Sequence, residues 1–157
     1  MDSAKQQGAF ELRNARFEDH DAIRCLLSED DLPIEDLSDE AFKHFVVCLV
    51  NDVVVGVVGL ERYGSSALVR SLAVSGQHRS QGIAARLLLR IEMRAQESGV
   101  TRLFALTTTA QPYLEGKGFV AIERSQVPEA IRASAQFSEL CPDSSHCLVK
   151  PIDRYPS

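Results

Sequence analysis

Hydrophobic and polar positions divide the chain into short segments whose period changes from one to the next. FELRNARF (10–17) alternates and predicts a strand. In EDHDAIRCLLSED (18–30), Ile23, Leu26 and Leu27 fall at helical spacing behind a first turn rich in acids. DLPIEDLSDEAFKHF is polar and carries Pro33; it predicts a short second helix from about Ser38 as N-cap, with Ala41 in the helix body. The strongest hairpin signal follows: FVVCLV (45–50) and VVVGVVGL (53–60), two β-branched runs joined by Asn51-Asp52. ERYGSS makes a second turn. ALVRSLAV (67–74) then completes an antiparallel meander.

The clearest helix is GIAARLLLRIEMRAQE (82–97). Ile83, Leu87, Ile91 and Met93 are expected on its apolar face, with Arg86, Arg90, Gln96 and Glu97 opposite. Ser98-Gly99 stops it, the glycine taking the left-handed cap conformation. TRLFALTT (101–108) reads as a strand, AQPYLEGKG as a short helix with Pro112 in its first turn, and FVAIER as a strand. A helix starts at VPEAIRASAQF, and HCLVK (146–150) is the last strand. The resulting order is β-α-α-β-β-β-α-β-α-β-α-β. A meander followed by a βαβ crossover implies an α/β (α+β) fold with a mixed, mostly antiparallel central sheet and helices on both faces.

Composition narrows the function classes. At 157 residues the chain is expected to form a single domain, residues 1–157. With 45% hydrophobic and 25% charged residues it has a soluble globular profile. A net charge of −5 argues against nucleic acid as a general partner. MDSAKQQGAF has no apolar signal core, and FVVCLV is far too short to span a membrane. A cytoplasmic protein with reduced thiols is the expectation. Cys25 and Cys48 sit inside apolar patterns and read as small core residues. Cys141 and Cys147 flank PDSSH; soft thiolates suit a metalloid, but two cysteines without a third ligand read first as packing, and no metal is expected.

Candidate chemistry concentrates in HRSQGIAARLL (78–88). A helix start leaves backbone N–H groups unpaired at the positive end of the helix dipole. Gly82 removes a side chain from the approach, Ala84 keeps the next turn low, and Arg79 adds a cation. The combination suits a pyrophosphate. An ordinary strand–helix connection would also carry one glycine, so the context matters: the strand SLAV, a six-residue loop, then R-x-x-G-x-A opening a long amphipathic helix.

With those residues, Arg79-Ser80-Gln81-Gly82-Ile83-Ala84 preceded by Leu72-Ala73-Val74, the chain resembles the GNAT superfamily of acyl-CoA-dependent N-acetyltransferases, from the first strand through GKGF (116–119). The resemblance implies a sheet splayed between its fourth and fifth strands and acetyl-CoA as co-substrate. Backbone groups of Leu72, Ala73 and Val74 would pair with the pantetheine arm. The amides from Arg79 to Ala84 would hold the pyrophosphate, and Thr107 stands where many members carry an asparagine. The family tyrosine that protonates the departing thiolate falls on Leu114, with Tyr113 one residue early and about 100° away around a helix. Tyr113 is therefore either a packing residue or an acid swung inward by a local irregularity.

The remaining roles are open in the sequence. Glu61, at the end of VVGL, is the leading general base, and a solvated acid beside a turn is an equal reading. Arg70 and Arg132 are candidate clamps for an acceptor carboxylate, each with a surface role as its alternative. His44 and His78 are weaker candidates, and His20 and His146 weaker still. The C-terminal half is similar to the acetyltransferase domain of N-acetylglutamate synthases and to the GNAT subgroup encoded with arsenic-resistance genes. Both imply a small amino-acid-like amine as acceptor, glutamate or an arsenic-containing amino acid among them. A non-catalytic acyl-CoA sensor and a protein N-acetyltransferase are the alternatives, and a homodimer is left open. The polar segment 31–44 is the expected lid over the acceptor.

Overall fold

The computed structural model describes residues 10–32, 34–107, 110–134 and 146–152. Its strands are β1 (Phe10–Asn14), β2 (Phe45–Val50), β3 (Val53–Tyr63), β4 (Ser66–Val74), β5 (Arg102–Thr107), β6 (Val120–Ile122) and β7 (His146–Pro151). The helices are α1 (His20–Glu29), α2 (Ile83–Glu97), α3 (Gln111–Glu115) and α4 (Glu129–Arg132). The strands form one mixed sheet in the order β1-β2-β3-β4-β5-β7-β6. The pairs β1–β2, β2–β3, β5–β7 and β6–β7 are antiparallel, and β4–β5 is parallel.

The chain divides into two compact units, residues 1–59 with 71–90 and residues 60–70 with 91–157. In the first, the Asn51-Asp52 turn closes the β2–β3 hairpin with φ of 52° and 65°, the doubly left-handed turn whose twist matches the flanking strands. α1 buries Ile23, Leu26 and Leu27 against Phe45, Val47, Leu49 and Val57. Leu37 and Phe42 join that cluster, so segment 31–44 is packed down at two points. The helix expected from Ser38 is a four-residue 3₁₀ turn, Ala41–His44, because Phe45 must already be extended to start β2. Ser38 Oγ does accept the Ala41 N–H, at 3.3 Å.

β1 ends at Asn14, three residues before the expected limit, because residues 17–19 form a 3₁₀ turn. Asp19 fixes that turn by accepting from the Arg16 amide and from Arg13 Nη1, each at 2.7 Å. Burial pushes the Asp19 carboxyl up, but these hydrogen bonds outweigh it and hold it below the usual carboxylate range.

The second unit is built on β5. Its parallel register with β4 covers Ser66–Val69 against Arg102–Ala105, while β4 continues to Val74 and β5 to Thr107. β7 inserts between β5 and β6. Leu68, Phe104, Val127, Ile131 and Cys147 form its buried cluster. Ser71, with φ of 61°, breaks the alternation of β4 at the point where the chain passes from one unit to the other.

Two core assignments change. Met93 is exposed rather than on the apolar face of α2, because it lies about 200° around the helix from Ile91; Ala95 takes that place. Cys25 is exposed for the same reason, two residues from the buried Ile23, whereas Cys48 is buried as expected. Within the helix expected over 127–137 only Glu129–Arg132 are helical among the described residues; its last three residues and Cys141 lie outside them.

Glycine replaces an L-residue in a left-handed conformation without strain. Asp52→Gly should therefore stabilise the chain by about 0.5–1 kcal/mol, read as a higher urea midpoint at unchanged m-value.

Candidate functional site

The start of α2 is positioned from beneath. Ile83 and Leu87 are fully buried, and a Cβ on Gly56 of β3 would come within 3.0 Å of both side chains. Glycine at 56 lets the first turns of the helix settle onto the strand. The preceding loop is tied to the same strand, with the Ser75 amide donating to the Val55 carbonyl at 2.8 Å. Residues 76–78 form a 3₁₀ turn closed by the His78 amide on the Ser75 carbonyl, and His78 Nδ1 is buried within it without a partner among the described residues.

Arg79 is held twice. Its Nε donates to the Val74 carbonyl at 3.0 Å, and its Nη2 donates to Asp30 Oδ1 at 2.7 Å. Ser80 and Gly82 then turn the backbone through positive φ, 66° and 82°. The Arg86 amide donates to the Gly82 carbonyl at 3.2 Å, which leaves the amides of Ile83, Ala84 and Ala85 without an acceptor inside the helix. A Cβ on Gly82 would meet nothing within 4 Å, so the approach to those amides is open. Gln81 is exposed and Ala84 half-buried beside this approach. Unpaired first-turn amides, a fifteen-residue helix and one guanidinium together suit a diphosphate. In β4, Leu72 is half-buried, Ala73 and Val74 are buried, and the Val74 carbonyl is the group that Arg79 uses.

The second group of residues lies wholly in the other unit. Glu61 Oε2 accepts from Arg70 Nη1 at 2.7 Å, and Glu61 Oε1 accepts from the Tyr63 hydroxyl at 2.9 Å. The Arg70 side chain is 1% exposed and that of Glu61 23%. Neither is the solvated surface residue that the sequence also allowed. Burial, followed by the hydrogen bond to Glu61 and its negative charge, pushes the Tyr63 phenol up to about 12. Tyr63 was missed in the sequence; its signal is the period of two from Glu61 along β3, which puts both side chains on one face.

The other candidates have contacts of their own. Thr107 Oγ1 accepts the Ala110 amide at 2.8 Å, at the residue before α3. On α3, Leu114 is buried, while Tyr113 is exposed with the Lys117 ammonium 5.5 Å from its ring centre. Arg132 is exposed, and its Nε donates to the Val127 carbonyl at 3.0 Å, closing its own turn. His20 is buried against Phe42 and lies 3.0 Å from Asp39; His44 and His146 are exposed. Among the described residues no cluster of three metal-ligating side chains occurs, and no helix is long and apolar enough to cross a membrane.

Because burial and then Glu61 hold Tyr63 in its neutral form, alkaline titration should show one phenol ionising near 12 in the wild type and lower in Glu61→Gln, read by tyrosinate absorbance. The linked stability has a fixed sign. A phenol whose folded pKa is raised contributes fully below about pH 10 and loses that contribution as pH climbs towards 12. Tyr63→Phe should flatten this alkaline loss.

Comparison with known proteins identifies the family and the fold. The profile of the acetyltransferase (GNAT) family matches residues 7–119. An amino-acid acetyltransferase of Neisseria meningitidis is 33% identical over 86 residues, 55% of this chain, and the match spans 19% of that protein. The N-acetylglutamate synthase of Neisseria gonorrhoeae, solved with coenzyme A and N-acetyl-glutamate, superposes with a TM-score of 0.81 at 26% identity, covering 94% of this chain and 36% of the other. Rv2747 of Mycobacterium tuberculosis, solved with CoA, shares the fold with a TM-score of 0.75 at 22% identity, covering 90% and 98% of the two chains. The chain belongs to the GNAT family of acetyltransferases.

Proposed function

We propose that this chain transfers an acetyl group from acetyl-CoA to the amine of a small amino-acid-like acceptor. The observation that carries the proposal is the opening of α2, whose first-turn amides have no acceptor inside the helix and whose approach Gly82 keeps clear. Amides between Arg79 and Ala84, with the Arg79 guanidinium, hold the diphosphate, and the backbone of Leu72 and Ala73 serves the pantetheine arm. When bound, acetyl-CoA supplies an acyl group activated as a thioester.

An amine must lose its proton before it can attack a carbonyl, and Glu61 is assigned that proton. Its carboxylate is fixed by Arg70 and Tyr63, yet a carboxylate offers about four acceptor positions, so a further donor can still reach it. Arg70 serves here by holding Glu61 rather than by clamping an acceptor carboxylate, since its side chain is buried against that partner. A phenol at about 12 is too weak an acid to protonate a thiolate readily, so Tyr63 is assigned orientation only. An amino-acid acceptor rests on the relatives: the curated one is an amino-acid acetyltransferase, and a solved one holds N-acetyl-glutamate. Glutamate heads the panel, with arsenic-containing and other amino acids after it.

Release of free thiol from acetyl-CoA across that panel is the direct test. Gly82→Glu should weaken coenzyme A binding well beyond Gly82→Ala, which carries the same strain of a side chain at φ 82°, because a carboxylate would stand in the anion's approach. Glu61→Gln should keep coenzyme A affinity and lower kcat by about 10²-fold or more. A chain that binds coenzyme A yet releases no thiol with any amine would instead be an acyl-CoA sensor.

A further inference from the structure

We propose that Asp30 is a positioning residue for the donor's diphosphate and acts through Arg79; this rests on the donor site assigned above. Asp30 caps the C-terminal end of α1, where its backbone amide donates to the Leu27 carbonyl at 3.1 Å. That end of a helix dipole is negative and disfavours a carboxylate, and Glu29 and Asp31 on either side add like charge. Nothing in α1 favours an acid at this position. Its partner lies 49 residues away in sequence: Arg79 Nη2, at 2.7 Å.

The pair does more than join two charges. Arg79 is also fixed through Nε on the Val74 carbonyl, so two bonds in different directions set both the place and the plane of the guanidinium. A guanidinium carries five N–H donors, and these bonds use two of them. The side chain remains 55% exposed, which leaves its other donors open to solvent at the loop that leads into α2. A long flexible arginine ordinarily gives up rotamer freedom when it meets a phosphate. Asp30 and Val74 impose that order beforehand, and the ligand meets a donor already in place.

The opposite role for Asp30 is also physically sound: a carboxylate beside an anion site can compete for the arginine and weaken the ligand. Titration of coenzyme A into the intact chain, followed by calorimetry, separates the two. Asp30→Ala should raise Kd about five-fold, as an arginine ordered only on binding would do. Asp30→Asn keeps an Oδ1 acceptor and should stay within about two-fold of the wild type. In an Arg79→Gln background, Asp30→Ala should have no further effect. Dephospho-CoA, which keeps the diphosphate but lacks the 3′-phosphate, should suffer the same loss. If Asp30→Ala does not fold, Asp30→Ser, which retains a small polar cap, takes its place with the same expectation.

Tighter binding by the Ala and Asn variants would overturn the proposal, as would a loss that persists without Arg79 or disappears with dephospho-CoA. A wild-type chain that takes up no coenzyme A overturns the donor assignment and this inference together. Normal uptake that is indifferent to Asp30 overturns this inference alone.

Discussion

The anchoring of one helix end is the constraint on which the proposed donor site depends. Amides that are to hold an anion cannot be tied up by the chain's own acceptors, so they contribute nothing to holding the helix in place. That work falls to the side chains beneath. Ile83 and Leu87 are buried in the first turns of α2, close to β3 at the point where Gly56 carries no side chain. The Ser75 amide ties the incoming loop to the same strand. A polar end stays unsatisfied because an apolar foundation keeps it in position, and the two requirements alternate along a sequence only a few residues long.

Glu61, Tyr63 and Arg70 obey a different constraint. A guanidinium as buried as that of Arg70 would be costly without a carboxylate against it, and Glu61 meets that need while remaining partly open to solvent. Tyr63 then settles on the second oxygen. The result is a carboxylate with a fixed orientation, which a flexible acid at a strand end would lack. For proton transfer, orientation counts for as much as proton affinity, because the donor has to come within hydrogen-bond reach along a usable direction.

Much of this was legible in the residues. The Asn-Asp turn, the three-stranded meander, the crossover helix and the motif from Arg79 to Ala84 all announce themselves through local pattern, and local pattern is what one sequence carries best. Losses came where a neighbour decides. Met93 and Cys25 look apolar by type, but helix geometry turns them out of the core. Ser38 looks like the cap of a helix, yet Phe45 is needed in the sheet too soon for one to form. Asp30 gave no sign of its partner, since nothing local links a residue at the end of α1 to one 49 positions later. Alternation along β4 likewise gave no sign that Arg70 meets Glu61, nine positions earlier on β3.

The place of β7 has a consequence for how the second unit assembles. Leu148 pairs with Ala105 of β5 on one side and Ala121 of β6 on the other, and β7 is the last described strand to be synthesised. Until it is made, β5 and β6 lack the strand that lies between them, and β5 presents an edge of free backbone groups on that side. The sheet order thus sets an order of folding: the β2–β3 hairpin closes from neighbouring residues, whereas β5 and β6 must wait for residues about forty positions beyond β5. During synthesis that edge is exposed to pairing with another chain, a hazard of the topology that the finished sheet conceals.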